Sequence, residues 1–349
     1  MFVVTVLIAT FLFSAQLNVG FIYIGPAGDA GWTYAHDLGR LHLEGVFGDQ
    51  ISTTFVESVP EGMEAMMTIE SLARRGYDII FTTSFGYMDP TFLAAEKYPD
   101  VWFHHCSGYK SAENMSTYFG RMYEPRFLTG LIAGMKTSSN RIGYVAAHPI
   151  PEVVRGINAF ALGVRMVNPD ARVHVVWSNT WYDPAMEKEA ALSLLDLGCD
   201  VIAMHQDSPA PQQAAQERGA FSIGYNSDMV AFAPKAYLTA PVWNWGIYYE
   251  RVVRETMAGT YQAEEYWGGM NDGIIGLAPM TDLVPQNAQV MVEVFKEAIK
   301  AGSFHPFQGP VYNQRNELVV PKGQIPSDGE LLSMSWFVDN VVGIIPGSN

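Results

Sequence analysis

Charged residues and cysteine are scarce in this chain of 349 residues. Charged side chains make up 16% of it, with 21 Lys and Arg against 36 Asp and Glu, for a formal net charge of −15. This composition argues against a nucleic-acid partner, because neutralising phosphates requires clustered basic side chains and the basic residues here are scattered. The two cysteines, Cys106 and Cys199, are too few for a C-x-x-C pair or a closed zinc site. Buried free thiols are expected, and one disulfide is the alternative.

Only one apolar block has a length near that of an export signal, the first fifteen residues MFVVTVLIATFLFSA. It is shorter than the roughly 20 residues that span a bilayer, and it matches the apolar centre of a secretory signal. No Lys or Arg precedes it, and Phe13 stands where a small residue is expected before cleavage. A buried first strand or helix is therefore the alternative. We predict an export-signal-like segment over residues 1–17 and a periplasmic or extracytoplasmic location.

Hydrophobic residues make up 48% of the chain, which is enough for the cores of two domains of ordinary size. Short apolar runs alternate with helical patterns, which is typical of a doubly wound α/β fold with parallel sheets. The alternation pauses at residues 122–125 and restarts, which predicts two similar α/β halves. The predicted strands are 19–24, 53–56, 78–82, 101–104, 141–146, 173–177, 201–204, 221–224 and 274–277, and the predicted helices are 62–75, 91–98, 125–135, 153–167, 184–197, 211–217, 245–257 and 286–301, with loop after the last helix.

The loop after the first predicted strand is the most informative segment of the chain. It reads GPAGDAGWTYAHDLGR and opens a helical pattern. Ligands of open parallel sheets lie just beyond the carboxyl ends of the strands, where such loops begin helices. Asp29 offers a carboxylate there, and Trp32 and Tyr34 offer two aromatic faces. These groups suit a flat small molecule with polar edges.

Further characteristic segments lie along most of residues 19–301. They include RRGYDIIFTTSFGYMDPTFLAAEKYPDVWF, YFGRMYEPRFLTGLIAGMKTSSNRIGYVAAHPIPEVVRGINAFALGVRMVNPDARV, WYDPAMEKEAALSLLDLGCDVIAMHQDSPAPQQAAQERG and GGMNDGIIGLAPM. Together they resemble the basic membrane protein family of ABC-transporter solute-binding receptors. The block with N-P-D after a helix containing Gly163, followed by D-P-A-x-x-K-E-A, is its most specific part.

The resemblance implies a type I periplasmic binding protein fold, with two doubly wound parallel-sheet lobes joined by a three-strand hinge. The chain would cross between lobes near Tyr123, Pro241 and Leu277, so that one lobe comprises residues 18–122 plus 241–276 and the other 123–240 plus 277–349. The ligand would lie between the lobes. The resemblance also implies a purine base or nucleoside as ligand, a membrane permease of an ABC importer as partner, no cofactor, and a monomeric receptor.

Within this family, the loop with Asp29 and Trp32 holds a purine by its edge and its face. For Asp29, the alternative is a plain helix N-cap. A second loop, after the third predicted strand, would contribute Ser84 as a donor and Phe85 as a ring face, although Phe85 also fits a core position. In the second lobe, His205 and Asp207 follow a strand, and Asp207 also fits a helix cap.

Two departures from the family pattern favour a free base over a nucleoside. The family usually has Asp where Ser107 stands, and that Asp often touches ribose. It commonly has Lys where Trp243 stands, and that Lys reaches the sugar hydroxyls. An indole there adds a flat apolar face instead, and a hinge plug is its alternative role. The resemblance further assigns ligand contacts to Asn226, Asp228 and Asp272, with turn or hinge roles open for the two carboxylates.

Enzymatic chemistry is not indicated by any motif in the sequence, which lacks G-x-S-x-G, a P-loop, H-E-x-x-H and G-x-G-x-x-G. The adjacent pair His104 and His105 would point to opposite faces of a strand, so a metal site is not expected either. We therefore predict a receptor for an adenine-like base. A purine nucleoside receptor is the alternative, a nucleoside-processing hydrolase is a weaker one, and a transcription regulator would need a DNA-binding domain before residue 20.

Overall fold

Two parallel sheets organise the chain. The computed structural model describes residues 16–347, so the predicted export segment falls almost wholly outside the described residues. The strands in chain order are β1 (Leu17–Ile22), β2 (Ile51–Val56), β3 (Ile79–Thr82), β4 (Trp102–Cys106), β5 (Met115–Gly120), β6 (Arg141–Ala146), β7 (Arg172–Trp177), β8 (Val201–His205), β9 (Phe221–Ile223), β10 (Pro241–Trp243), β11 (Glu265–Gly268), β12 (Ile275–Leu277), β13 (Val311–Tyr312), β14 (Leu318–Val320) and β15 (Val341–Val342).

The helices fill the crossover connections between the strands. In chain order they are α1 (Trp32–Phe47), α2 (Met63–Arg74), α3 (Met88–Lys97), α4 (Tyr123–Lys136), α5 (Pro151–Val167), α6 (Pro184–Asp196), α7 (Ala210–Glu217), α8 (Trp245–Met257), α9 (Gln286–Lys300) and α10 (Asp328–Leu332).

Each lobe is built on one sheet whose pairings are all parallel. The first lobe has six strands in the order β11-β5-β4-β3-β1-β2. The second has five in the order β15-β7-β6-β8-β9. The central strands are buried on both faces, because helices cover them as in other parallel sheets. The predicted doubly wound, two-lobe α/β fold is therefore present.

The hinge between the lobes contains two strands and one further connection. Strands β10 and β12 pair antiparallel, with Val242 opposite Gly276. The third crossing, between β5 and α4, passes through Arg121 and Met122, which are not in a strand. These crossings lie near the positions expected from the resemblance, while the exact lobe boundaries stay a prediction.

Close approach of α4 and α5 explains a glycine in each helix. A Cβ at Gly163 would lie 2.2 Å from the carbonyl oxygen of Phe127, and one at Gly130 would lie 2.1 Å from that of Phe160. No residue larger than glycine fits at this crossing without moving the helices apart. This pair of helices forms much of the second lobe's buried core.

The strands and helices expected from the sequence are confirmed within a few residues of their predicted ends. Three strands before residue 301 were not among those predicted: β5 and β11, which extend the first sheet, and β10 in the hinge. The prediction of loop throughout the tail after residue 301 is wrong, because the tail contains a two-stranded ribbon, α10 and the edge strand β15. Cys106 and Cys199 are both buried and free, as expected.

Candidate functional site

A cavity lies between the lobes, where the carboxyl ends of both sheets face each other. Each lining residue ends a strand or lies in the loop or helix that follows one, which is where open parallel sheets bind ligands. The lining residues are Ile24, Trp32, Ser84, Phe85, Ser107, Glu152, Trp181, His205, Asp207 and Tyr225.

Four aromatic side chains line the cavity, two from each lobe. Trp32 and Phe85 follow β1 and β3, and Trp181 and Tyr225 follow β7 and β9. The indole of Trp32 is fixed because its Nε1 donates to the carbonyl oxygen of Thr83 at 2.6 Å. Ring faces held in this way can pack against a flat ligand without a large loss of side-chain entropy.

Two carboxylates from the second lobe border the same space. Glu152 lies in the first turn of α5, and Asp207 follows β8. Burial raises the pKa of Asp207 well above its usual value, and the negative charges of Asp29 and Glu187 raise it further. Asn226 Nδ2 donates to Asp207 Oδ1 at 3.0 Å and orients the carboxyl group. The carboxyl groups can accept from the amine or ring N–H of a ligand.

His205 is a neutral imidazole beside these carboxylates. Burial lowers its pKa to about 4, although Glu152 opposes that shift from 3.5 Å away. Its Nδ1 atom and the hydroxyl of Tyr225 are buried and have no hydrogen-bond partner within residues 16–347. Buried polar atoms in native proteins are almost always paired. Two such atoms on lining residues indicate that a ligand or water completes their hydrogen bonding here.

Two serines complete the lining on the side of the first lobe. Ser84 Oγ donates to Glu61 Oε1 at 2.5 Å, and Ser107 adopts a left-handed backbone with φ of 64° just after β4. Both residues were predicted as ligand contacts, and both lie in the lining.

Asp29 and Tyr34 were also predicted as ligand contacts, but they lie outside the lining. The carboxylate of Asp29 accepts from the backbone N–H groups of Gly31 at 2.7 Å, Thr33 at 2.9 Å and Tyr34 at 2.9 Å. It therefore caps the start of α1, the alternative role recognised in the sequence. The ring of Tyr34 is exposed. A direct ligand role for either residue stays a prediction, and this arrangement favours a supporting role for Asp29.

Trp243 and Asn226 lie behind the cavity, at the hinge. The indole of Trp243 stacks on Trp245 with ring centroids 4.3 Å apart, and its Nε1 donates to Asn226 Oδ1 at 3.1 Å. Trp243 also meets Trp32 edge to face at 5.7 Å. The position of Trp243 matches the hinge-plug alternative, and stacking on the ligand stays a prediction.

Asp228 and Asp272 are exposed, and each stabilises the turn in which it lies. Asp228 Oδ1 accepts from the N–H of Val230 at 3.1 Å, and Asp272 Oδ2 accepts from the N–H of Gly269 at 2.6 Å. Neither borders the cavity. Their ligand roles stay a prediction. The hydrogen bonds favour the alternative stated from the sequence, in which each carboxylate stabilises its own turn or the hinge.

Four lining residues were missed from the sequence: Ile24 in the first lobe, and Glu152, Trp181 and Tyr225 in the second. Each follows a strand that was predicted from the sequence, or lies in the helix after one, so the strand-end rule could have indicated them. Trp181 lies in the quoted segment WYDPAMEKEA, and Tyr225 directly precedes Asn226.

The lobes touch at one rim of the cavity. Ser227 Oγ donates to the carbonyl oxygen of Ala30 at 2.5 Å. A Cβ placed on Gly31 would lie 2.0 Å from the carbonyl oxygen of Asp207. Because these contacts join the loop after β1 to the loops after β8 and β9, the structure has the lobes closed on each other.

A sequence model described as "ABC transporter substrate-binding protein PnrA-like" matches residues 16–305. The chain belongs to this Bmp family. The resemblance stated from the sequence is thereby confirmed. Members of the family are substrate-binding receptors of ABC importers rather than enzymes, and they act outside the cytoplasm. Within the described part of the chain, the helices are too short or too polar to cross a membrane.

Two relatives match nearly the whole chain. A purine-binding protein of Brucella abortus is 45% identical over 331 residues, covering 95% of this chain and 94% of its own length. A protein of Haloferax volcanii, named "Putative ABC transporter glucose-binding protein TsgA13", is 40% identical over 330 residues and covers 95% of this chain and 81% of its own length.

Solved structures show the same fold at lower identity. A solute-binding protein of Aeropyrum pernix superposes with a TM-score of 0.73 at 19% identity, over 83% of this chain and 93% of its own. An activator of the comK gene from Bacillus halodurans gives a TM-score of 0.70 at 22% identity, over 82% and 99%. Since a regulator and a transport receptor share this architecture, the likeness supports the fold alone.

Proposed function

We propose that this receptor binds a purine base of the adenine type in the cavity between its lobes. It delivers the base to the membrane permease of an ABC importer, and it works as an exported monomer. The observation that carries the proposal is the lining itself. Aromatic faces from both lobes surround the space, and carboxyl and imidazole groups stand at its edge.

A purine base matches these groups in both shape and polarity. Its flat faces can pack on Trp32, Phe85, Trp181 or Tyr225, and base–aromatic stacking contributes about 1–3 kcal/mol per contact. Its amine and ring N–H can donate to Glu152 and Asp207. Its unprotonated ring nitrogens can accept from the hydroxyl of Tyr225, which is buried without a partner among residues 16–347.

The Brucella relative named as purine-binding supports the same assignment at 45% identity. The Haloferax relative named as glucose-binding makes a sugar the rival, since sugars also bind between aromatic faces and carboxylates. A purine nucleoside is a second candidate, because the cavity continues towards a larger space that could hold a ribose.

Isothermal titration of the purified receptor with adenine, guanine, hypoxanthine, adenosine and glucose tests these candidates. We expect adenine to bind with a Kd well below about 100 μM, which corresponds to more than about 5 kcal/mol of binding free energy. If glucose binds tightly and no purine does, the proposal is wrong. If adenosine binds much more tightly than adenine, the receptor is a nucleoside receptor.

Trp181→Ala tests whether an aromatic face of the second lobe holds the base. Loss of a stacking face should weaken adenine binding by about 1–3 kcal/mol, or roughly 5- to 150-fold in Kd. Trp177→Ala is the matched control, because Trp177 lies at the end of β7, donates from Nε1 to the carbonyl oxygen of Ile344 and does not line the cavity. Equal effects of both substitutions on Kd would contradict the assignment.

A further inference from the structure

A second and larger cavity adjoins the first. The two share Phe85, Ser107 and Glu152 in their linings, so these residues lie at the boundary between them. Tyr109 and Leu332, which are both largely exposed, mark the outer rim of the second cavity. A ligand in the first cavity therefore has room to extend past Phe85 and Glu152 into this neighbouring space, which we call the side chamber.

The walls of the side chamber are mainly aromatic and aliphatic. The edge strand β11 of the first lobe and its neighbour β5 contribute rings, and the second lobe contributes the start of α5 and part of α10. The apolar and aromatic wall residues are Phe85, Tyr109, Tyr118, Phe119, Ile150, Pro151, Tyr266, Trp267 and Leu332.

The charged wall residues other than Glu152 already have partners. Glu265 Oε1 accepts from Ser111 Oγ at 3.1 Å. Asp328 forms two hydrogen bonds of 2.7 Å with Arg121. Arg155 Nη1 donates to the carbonyl oxygen of Leu331 at 2.7 Å, and its guanidinium lies 5.1 Å from the ring centre of Trp267. Charged groups paired in this way leave ring faces as the main surface offered to a ligand.

Among the fully buried side-chain polar atoms of these walls, one has no partner within residues 16–347, and it is the donor Trp267 Nε1. A sugar would bring several hydroxyl groups that each need donors and acceptors, since burying an unpaired hydroxyl costs about 1–3 kcal/mol. Because rings and aliphatic carbons form most of its walls, the side chamber suits an apolar group better than it suits a ribose.

We propose that the receptor's ligands include purines with an apolar substituent on the exocyclic amino group, and that this substituent occupies the side chamber. The inference rests on the proposed purine function and names the ligand class more closely. Glu152 lies at the junction of the two cavities, where its carboxylate can accept from the amine of a base. A singly substituted amine keeps one N–H for Glu152 and directs its carbon substituent into the side chamber.

Part of this wall comes from a segment outside the matched family region. Asp328 and Leu332 belong to α10, whereas the family match ends at residue 305. The tail thus provides a wall that can set ligand preference independently of the base site. Leu332 lines the side chamber and not the first cavity, so a substitution of Leu332 can alter binding in the side chamber without altering the base site.

Titration with adenine, adenosine, 6-benzylaminopurine and 9-benzyladenine tests the proposal on the whole receptor. We expect 6-benzylaminopurine to bind about tenfold or more tightly than adenine, because burial of a benzyl group removes a large apolar area from water. The Leu332→Trp variant should lose most of this gain while its Kd for adenine stays unchanged. Leu197→Trp is the matched control, because Leu197 is equally exposed at 53% against 52% for Leu332 and lines neither cavity.

The outcomes separate this proposal from the purine function on which it rests. If adenine binds and 6-benzylaminopurine binds equally or more weakly, the side chamber does not take the substituent and the base site stands. If 9-benzyladenine binds more tightly than adenine and 6-benzylaminopurine does not, the substituent position that we assign to the side chamber is wrong. If adenosine binds more tightly than adenine and Leu332→Trp abolishes that gain, the side chamber takes a ribose and its assigned apolar chemistry is wrong. If none of the purines binds, both proposals fail.

Discussion

Replacing Gly31 with alanine should hinder closure of the lobes without unfolding either of them. The new Cβ would lie 2.0 Å from the carbonyl oxygen of Asp207, a backbone atom of the opposite lobe. That contact must lengthen by more than about 1 Å to reach an ordinary van der Waals distance. The simplest relief is separation of the two loops, which also breaks the hydrogen bond from Ser227 to Ala30.

The cost of this separation can be estimated from its two parts. Overpacking in a closed interface costs about 1–3 kcal/mol, and loss of one hydrogen bond costs about 1 kcal/mol. Together they predict about 2–4 kcal/mol, or roughly a 30- to 1,000-fold increase in the Kd for adenine. If the lobes of the free receptor spend most of their time open, the thermal midpoint of the ligand-free protein should change little.

Isothermal titration and thermal unfolding of Gly31→Ala and Gly28→Ala provide the assay. Gly28 lies in the same loop, and a Cβ there would have no atom within 4 Å, so this control should bind adenine as the parent protein does. An unchanged Kd for Gly31→Ala would refute the reasoning. A large fall in the unfolding midpoint with normal binding would do the same, since it would locate the strain within one lobe.

Two further predictions concern stability. Burial raises the pKa of Glu124 to about 7 at the hinge, where its carboxyl group accepts from the N–H of Met270 at 2.7 Å. The folded protein therefore binds this proton more tightly than the unfolded chain, and stability should fall as pH rises from about 4.5 to 7, by up to about 3 kcal/mol. Urea unfolding at pH 5 and pH 8 should show a smaller loss in Glu124→Gln, and equal losses would contradict the assignment. Gly163→Ala should lower the free energy of unfolding by about 1–3 kcal/mol, because its Cβ would meet the backbone of α4. Gly156→Ala on the same helix, with no neighbour closer than 3.7 Å, is the control and should be neutral or stabilising; similar losses in both would contradict the packing argument.

Alternation of apolar runs and helical patterns was enough to predict both sheets, because buried parallel strands read as continuous hydrophobic segments. Strand β5 was not predicted by this rule. Its sequence, MSTYFG, is buried along its whole length yet contains Ser116 and Thr117. The burial of Ser116 depends on a hydrogen bond of 2.6 Å between its hydroxyl and that of Tyr261, 145 positions away. The sequence around β5 carries no sign of that partner.

The candidate site was predicted only in part, because the orientation of its side chains also depends on partners that are distant in sequence. The strand-end rule located Trp32, Ser84 and Asp207, because any residue after a parallel strand lies near the ligand edge. It could not tell which of these side chains face the cavity. Asp29 follows β1 as Trp32 does, but its carboxylate is used by backbone N–H groups. Trp243 faces Trp245 because the hinge strand carries it behind the cavity, and this orientation depends on tertiary packing.

A crystal structure of the receptor grown with adenine tests the central claim most directly. The account predicts one base between the lobes, with a face against at least one of Trp32, Phe85, Trp181 and Tyr225. Its amine or a ring N–H should lie within hydrogen-bond distance of Glu152 or Asp207. An empty cavity under saturating adenine, or a base bound elsewhere on the protein, would contradict it.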